Sequence, residues 1–347
     1  MPIGWAKVRT VEAAVRRAHA LRRAWDLGTV FLLESGDTDM SALAGCETLH
    51  TLLLSNCWNL TNVSALAGCA ALQELYLKAA RVTDVSTLAG CANLHTLELR
   101  DCLGVTDVSL ARCATLQVLS VRDCLSVTDV SALAGCATLH TLDLWGCVLV
   151  TDVSALAGCA ALRTLSLRST GVTDVSALAG CAELQSLDLY ECRGVTHVSA
   201  LGGCANLRAL NLRGTRVTDV SALAVCAALH TLNLRKTGVE DISALAGCAL
   251  LHTLDLDITR VRDVSALAGC ATLHTLRLSC SAVADVSALA GCAALHTLTL
   301  IACTGLTDVS ALAGCATLRA LDLLGCTGVM DVSALQRVGL NLKFSLR

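Results

Sequence analysis

Histidine, cysteine and aspartate recur along this chain at spacings that could support chemistry. Seven of its nine histidines directly follow a leucine at one repeated place, namely His50, His95, His140, His230, His252, His274 and His296. Imidazoles on neighbouring strands could share a metal ion. Elsewhere this place holds Gln or Arg, and no carboxylate or thiol accompanies it. We therefore predict a solvated polar row and no metal site.

Cysteine is unusually frequent, with 21 residues in 347. Thirteen of them, from Cys46 through Cys181 to Cys315, fill a single repeated position. The odd count, the chain length and the lack of a signal-peptide apolar region argue against a disulfide framework. Ligands spread one per repeat along an axis do not converge on a metal ion. The pattern predicts buried packing thiols in a reducing compartment, which we expect to be the cytoplasm.

Seven further cysteines lie in turns that are one residue longer than the turns without cysteine: Cys57, Cys102, Cys124, Cys147, Cys192, Cys303 and Cys326. We hypothesise that burial of the sulfur requires the extra residue, so that the two kinds of turn should differ in geometry.

Aspartates such as Asp84, Asp129, Asp174 and Asp263 recur in an Asp-Val-Ser segment, which Thr precedes in most coils. They suit a turn or helix cap, where a carboxylate accepts backbone N–H groups. Asn62 and His197 replace the aspartate in two repeats, and only Asn can do the same work. No nucleophile with a base, no phosphate-binding loop and no metal-ligand cluster accompanies these residues. We predict no catalytic residue, no cofactor and no enzymatic activity.

The elements that carry these residues follow from a repeat of 22 or 23 residues. The pattern Leu-x-x-Leu-x-Leu begins thirteen times, from Leu49 to Leu318. In Leu139–Leu144 its alternation puts Leu142 and Leu144 on one face and Thr141, Asp143 and Trp145 on the other. One coil cannot bury its leucines alone, so neighbouring coils must stack their strands into a parallel sheet. The Asp-Val-Ser-Ala-Leu-Ala-Gly segment that follows predicts a short 3₁₀ or α-helical turn on the convex side.

Val172–Ala179, with the sequence VTDVSALA, resembles the segment after the strand in internalins. The chain resembles the 22-residue class of leucine-rich repeats found in internalins and in a regulatory subunit of a protein phosphatase. It is also similar to kinetoplastid leucine-rich-repeat proteins, some of them named as regulators of adenylate cyclase. The resemblance implies an α/β solenoid, a leucine-rich-repeat horseshoe with a parallel concave sheet. Internalins carry an asparagine ladder after the strand, whereas most repeats here carry Cys or Thr.

The two ends depart from the repeat. Residues 1–26 are predicted to form an amphipathic capping helix, because Val8, Val11, Val15, Ala18 and Leu21 follow a helical spacing. A mitochondrial transit peptide is the alternative for this arginine-rich stretch. We assign residues 27–347 to one solenoid of thirteen full repeats with degenerate terminal coils. Its first strand is expected around Val30–Leu32, and its last is expected to alternate from Leu340 to Leu346.

Composition excludes two broad classes. Apolar residues make up 54% of the chain but are interrupted every few positions, so we predict no membrane-spanning segment. The net charge of −3 gives no indication of nucleic-acid binding.

The residue after each strand varies in a way the architecture does not require. Over consecutive coils it forms what we call the basic–aromatic ladder: Lys78, Arg100, Arg122, Trp145, Arg168, Tyr190, Arg213 and Arg235. With Tyr76 nearby, three of only eight Trp, Tyr and Phe residues face outward here. Aromatic residues among arginines are typical of protein interfaces. In the alternative interpretation, the arginines keep the sheet soluble by pairing with an acidic row beside them, which includes Glu98, Asp143 and Asp188. These carboxylates also disfavour phosphate binding.

We therefore predict a non-enzymatic, monomeric scaffold or regulatory adaptor that binds a protein partner of unknown identity on Tyr76 and the basic–aromatic ladder. Two alternatives stay open: a surface or secreted adhesin or antigen of internalin type, and a substrate adaptor of a ubiquitin ligase. The first needs an export signal and the second a ligase-docking module, and we recognise neither before the repeats.

Overall fold

The computed structural model describes residues 28–34, 38–110, 113–335 and 340–343. The predicted capping helix of residues 1–26 lies outside the described residues. The chain divides into two compact units, Met1–Val172 and Thr173–Arg347. Each unit is described by itself below, and the assignment of residues 27–347 to one solenoid stays a prediction.

The described residues of the first unit form seven parallel strands, each hydrogen-bonded to the next in chain order. They are β1 (Thr29–Leu33), β2 (Thr51–Ser55), β3 (Glu74–Lys78), β4 (Thr96–Arg100), β5 (Val118–Arg122), β6 (Thr141–Asp143) and β7 (Thr164–Ser166). Its 3₁₀ helices are η1 (Ser41–Leu43), η2 (Ser64–Gly68), η3 (Ser86–Gly90), η4 (Ser131–Gly135) and η5 (Ser154–Gly158).

In the second unit, the part of the chain that the structure describes repeats the arrangement with eight parallel strands. They are β8 (Ser186–Asp188), β9 (Ala209–Asn211), β10 (Thr231–Asn233), β11 (Thr253–Asp255), β12 (Thr275–Arg277), β13 (Thr297–Thr299), β14 (Ala320–Asp322) and β15 (Asn341–Lys343). Its 3₁₀ helices are η6 (Ser176–Gly180), η7 (Ser199–Gly203), η8 (Ser221–Val225), η9 (Ser243–Gly247), η10 (Ser265–Gly269), η11 (Ser287–Gly291), η12 (Ser310–Gly314) and η13 (Ser333–Leu335).

The core of each unit is built from the repeated leucines. In β6, Leu142 is fully buried and Thr141 faces outward, and the same alternation recurs along both sheets. Each 3₁₀ helix buries its one leucine, as Leu156 does in η5. Because the register is constant, equivalent residues of neighbouring strands lie side by side, as Thr141 and Thr164 do. Each sequence position therefore becomes a row of side chains within its unit.

The fold prediction is confirmed: parallel strands alternate with 3₁₀ turns, and every helix among the described residues is of the 3₁₀ type. The degenerate first strand is β1, and β15 covers the start of the predicted last strand, since residues 344–347 lie outside the description. Among the described residues, no helix has both the length and the hydropathy needed to cross a membrane.

Candidate functional site

The middle of the basic–aromatic ladder forms a stacked cluster in the first unit. The guanidinium carbon of Arg168 lies 5.0 Å from the centre of the Trp145 ring, and that of Arg122 lies 5.8 Å from it. A cation over an aromatic face contributes about 0.5–1 kcal/mol at an exposed site. Trp145 is half-buried, so its ring is held in place while part of it faces solvent.

Asp143 positions this cluster. One of its carboxylate oxygens accepts a hydrogen bond from Arg122 Nε at 2.6 Å, and the other accepts one from the backbone N–H of Trp145 at 3.0 Å. The Asp143 side chain is only 12% exposed, so the pair is shielded from water on one side. A single carboxylate thus orients both the arginine and the tryptophan.

The start of the ladder is arranged differently. Lys78 and Arg100 are exposed, and Arg100 Nε lies 3.6 Å from the carboxylate of its neighbour Asp101. The Tyr76 hydroxyl donates to Glu74 at 3.4 Å. Burial, together with the charges of Glu74 and Glu98, raises the pKa of Tyr76 above its ordinary value. The structure thus brings Arg122, Trp145 and Arg168 together and leaves Tyr76 with a glutamate.

The second unit carries a smaller stack. The guanidinium carbon of Arg213 lies 5.2 Å from the centre of the Tyr190 ring. Asp188 accepts the backbone N–H of Tyr190 at 2.9 Å, and Asn211 accepts that of Arg213 at 3.1 Å. Asp188 and Asn211 therefore hold the backbones of Tyr190 and Arg213, as Asp143 holds that of Trp145 in the first unit.

Arg235 ends the ladder. Its Nη1 donates to Asp257 at 2.7 Å, and the Asp257 side chain is only 8% exposed. Asp257 also accepts the backbone N–H of Ser279 at 2.7 Å. Arg235 therefore compensates a buried carboxylate, and the alternative of pairing with acids describes both Arg235 and Arg122, whose Nε is bonded to Asp143.

A groove of about 370 Å³ lies on the outward face of the second unit. Its lining comes from the rows that precede the ladder, with Thr231 and Thr253 in one row and Asn211, Asn233 and Asp255 in the next. Burial is the largest influence on Asp255 and raises its pKa, although Arg277 and Arg235 act against it. Sequence reasoning missed this groove because its depth depends on small side chains adjoining across coils.

The cysteines of the main row are hydrogen-bond donors as well as packing groups. The Cys91 thiol donates to the Leu66 carbonyl of the preceding coil at 3.1 Å, and Cys315 donates to Leu289 at 3.2 Å. Burial raises the pKa of Cys91 and of Cys292 to about 12. All but Cys46 of the thirteen are buried, so the prediction of buried thiols is confirmed for the other twelve.

The two turn types differ, as hypothesised. In the longer turn, the Val105 N–H donates to the Cys102 carbonyl, and the Cys102 thiol reaches the Leu77 carbonyl of the preceding coil at 3.6 Å. In the shorter turn, the Thr215 hydroxyl donates to the Leu212 carbonyl of its own coil at 2.7 Å. The longer turn thus closes around a buried sulfur whose hydrogen bond runs to a carbonyl of the preceding coil.

Four of the histidines form a stack in the second unit. The rings of His230, His252, His274 and His296 lie nearly parallel, with successive centres 5.0, 4.9 and 4.8 Å apart. Among the described residues, no group of three or more His, Cys, Asp or Glu side chains could hold a metal ion. Because the rings are stacked, they lie side by side and do not converge on one point where a metal ion could bind.

The repeated aspartates occupy turns. Asp129 Oδ1 accepts the N–H of Ser131 at 2.7 Å, and Asn62 accepts that of Ser64 at 2.7 Å. The Ser131 N–H, followed by its hydroxyl, lowers the pKa of Asp129. The residue at the helix cap itself is a valine that makes no side-chain bond, so each aspartate acts one position earlier than a conventional cap.

Comparisons with known proteins agree with this architecture. A family model described as leucine-rich repeat matches residues 203–226. The internalin InlF of Listeria monocytogenes has a similar structure, with a TM-score of 0.77, 21% identity, and coverage of 87% of this chain and 88% of that one. The functional domain of InlJ from the same bacterium, which includes a cysteine ladder, has a TM-score of 0.63, 18% identity, and coverage of 84% of this chain and 57% of that one.

A complex of TLR13 with the single-stranded RNA ssRNA13 also shows this fold, with a TM-score of 0.64, 15% identity and coverage of 96% of this chain and 59% of that one. No curated protein matches the chain by sequence. These identities lie below 25%, so the likeness concerns the fold. The chain has a leucine-rich-repeat fold with an internalin-like architecture.

Proposed function

We propose that this protein is a non-enzymatic scaffold that binds a protein partner through the stacked part of the basic–aromatic ladder. Solenoids present extended surfaces for binding, and the leucine-rich-repeat fold is typical of protein-interaction scaffolds. The observation that carries the proposal is Trp145, held half-buried between the guanidinium groups of Arg122 and Arg168. Pre-ordered aromatic and arginine side chains lose little entropy when a partner binds.

Single-stranded RNA is the main rival ligand, because aromatic rings among arginines also grip bases and TLR13 binds an RNA with this fold. Asp143 and Asp188 lie next to the two stacks and would repel phosphate groups. We therefore favour a protein, with carboxylates or carbonyl oxygens that contact the arginines of one stack.

The test compares Trp145→Ala and Tyr190→Ala, made separately because they lie in different units. A matched control is Trp58→Ala, since Trp58 is 57% exposed and lies in a turn outside the ladder. Crosslinking and mass spectrometry identify the partner, and titration then measures its dissociation constant. Trp145→Ala should weaken binding by about 10-fold or more, as expected for an interface hot spot, and Trp58→Ala should not.

Equal binding by wild type, Trp145→Ala and Tyr190→Ala would contradict the site. Titration with a labelled single-stranded RNA covers the rival, because tight binding that Trp145→Ala abolishes would replace the protein proposal with an RNA one.

We also propose that the protein works in a reducing compartment such as the cytoplasm. The support is that its cysteines are thiols in the structure and donate hydrogen bonds, as Cys91 and Cys315 do. Mass spectrometry of protein alkylated at the moment of cell lysis should find these cysteines reduced. Disulfides or higher oxidation states at the buried positions would contradict this.

A further inference from the structure

The first unit carries an exposed apolar strip beside the ladder, consisting of Leu103, Leu125, Val148 and Leu149. These side chains are 57%, 47%, 50% and 51% exposed. They lie in the cysteine-containing turns of three consecutive coils. The Thr128 N–H donates to the Thr106 carbonyl of the preceding coil at 2.9 Å, so the segments that follow the first two turns are stacked in register.

The turn itself does not require apolar residues. In the second unit, the position directly after the turn cysteine holds Arg193, Thr304 and Thr327, all of them exposed. Those turns close with the same backbone bond, for example from the Val195 N–H to the Cys192 carbonyl. Neither folding nor solubility therefore explains leucine or valine at this position, and adjoining exposed apolar side chains are typical of interaction sites.

Carboxylates border the apolar strip on both sides. Asp101 and Asp123 precede the turn cysteines, and Asp107, Asp129 and Asp152 follow the turns. Hydrogen bonds from Ser131 and from Ser154 favour the charged forms of Asp129 and Asp152. Among the nearby cations, Arg100 offsets Asp101 at 3.6 Å, Arg122 is bonded to Asp143, and Arg81 lies one coil before the strip.

The spacing indicates the shape of the partner. Neighbouring coils place the strip residues about 4.8 Å apart. An α-helix lying along the stack advances 5.4 Å per turn and presents one residue of its apolar face to each coil. An extended chain repeats a face every 6.6–6.8 Å and falls out of step with the coils.

From this geometry we propose that the apolar strip is a docking site for a basic amphipathic helix of a protein partner. Apolar residues at i, i+3 or i+4, and i+7 contact Leu103, Leu125 and Val148. Lysines or arginines on both flanks of the helix meet the two aspartate rows. This site is separate in charge and chemistry from the basic–aromatic ladder, and the proposal does not depend on the function proposed above.

The test uses the full chain and a labelled 14-residue helix of leucine and lysine with all its leucines on one face. A scrambled peptide of the same composition is the peptide control. Fluorescence anisotropy should show binding of the amphipathic peptide at micromolar concentration and at least 10-fold weaker binding of the scrambled one. Hydrogen exchange should show protection around residues 101–107, 123–129 and 146–152.

Two protein variants test the two components of the site. Leu103→Ser with Leu125→Ser should weaken binding at least 10-fold, and Leu250→Ser, at a residue that is 55% exposed in the second unit, should not change it. Asp107→Asn, Asp129→Asn and Asp152→Asn together should weaken binding several-fold and reduce its salt dependence. Asparagine keeps the turn, as Asn62 shows.

Equal affinity of wild type and the Leu103/Leu125 variant, or of the two peptides, overturns the proposal. Tyr190→Ala should leave peptide binding unchanged, so that failure of the ladder as a partner site and failure of the strip give different results. Circular dichroism and urea unfolding of each variant establish that a loss of binding is not a loss of fold.

Discussion

At the scale of the residue, the aspartate of most coils accepts one backbone N–H group. His197 replaces this aspartate in one coil, so it shows what the hydrogen bond contributes. In most coils an aspartate accepts the N–H of the serine that begins the 3₁₀ helix, as Asp219 does for Ser221 at 2.8 Å. His197 instead has its Nδ1 2.8 Å from the Thr196 hydroxyl. Among the described residues, no side chain accepts the Ser199 N–H in this coil. The coil therefore lacks one bond that most others have.

His197→Asn should restore this bond and raise the free energy of unfolding by about 1 kcal/mol. Asparagine is preferred to aspartate because Asp219 of the next coil lies close enough for His197 to influence its charge. Urea unfolding measures the change. The reciprocal variant, Asn62→His, should destabilise by a similar amount, because Asn62 accepts the Ser64 N–H at 2.7 Å. A shift of the same sign in both variants would refute this account.

The residues of the acidic row have a role that the sequence analysis does not predict. The sequence predicts that Asp143 and Asp188 belong to an acidic row that pairs with arginines. In the structure one oxygen of each accepts a backbone N–H two residues on, and Asn211 does the same. Both Asp and Asn occur at this position in different coils. That pattern is the sequence signal for the role, because both side chains can accept a backbone N–H group in such a turn.

At the scale of the element, the turn after each of the strands β1 to β14 is built on a left-handed residue. Gly146, Gly214 and Gly325 occupy this position, but so do many residues with side chains, including Ile258 at a φ of 58°. The left-handed conformation costs roughly 1–2 kcal/mol for a residue with a Cβ, and more for a β-branched one. Glycine at 146 has a second reason, since a Cβ there would collide with the Asp123 carboxylate.

Ile258→Asn should therefore stabilise the second unit by about 1 kcal/mol, because asparagine tolerates this conformation. Ile258 is 43% exposed, so little burial is lost. Leu250→Asn is the control, since Leu250 is an exposed apolar residue without positive φ, and its stability should change by less than about 0.5 kcal/mol. Denaturant midpoints compare the two. Equal stabilisation would attribute the effect to surface polarity instead of backbone strain.

At the scale of the whole molecule, the cysteine rows couple stability to pH. Burial raises the pKa of Cys91, Cys147 and Cys292 to about 12 and that of Cys113, Cys204, Cys248 and Cys326 to about 11, from an ordinary value of 9.0. The folded chain thus holds these protons more tightly than the unfolded chain. Their contribution is complete below pH 9 and is lost progressively as pH rises towards 11–12.

Ionisation of these thiols should accordingly leave the urea midpoint unchanged up to about pH 8.5 and lower it steeply above pH 9. A variant with Cys91→Val and Cys292→Val removes two of the titrating thiols at similar volume, so it should show a shallower fall. The comparison separates the contribution of these two thiols from that of all other groups. Parallel curves for wild type and variant would show that the thiols are not responsible.

The sequence by itself determined the repeat, the strand faces, the presence of a short helical turn in each coil and the buried thiols, because each depends on local periodicity copied from coil to coil, whereas the structure decided that the turns are of the 3₁₀ type. Tertiary structure decided which outward residues meet. It stacks Arg122, Trp145 and Arg168, engages Arg235 with the buried Asp257, and gathers Leu103, Leu125 and Val148 into one apolar strip. Those outcomes depend on distances between coils and on competing partners, which a linear pattern does not encode. The basic–aromatic ladder is visible in the sequence as a row of residue types, but only packing shows that Arg235 pairs with a buried acid and that Arg122 both pairs with Asp143 and frames Trp145.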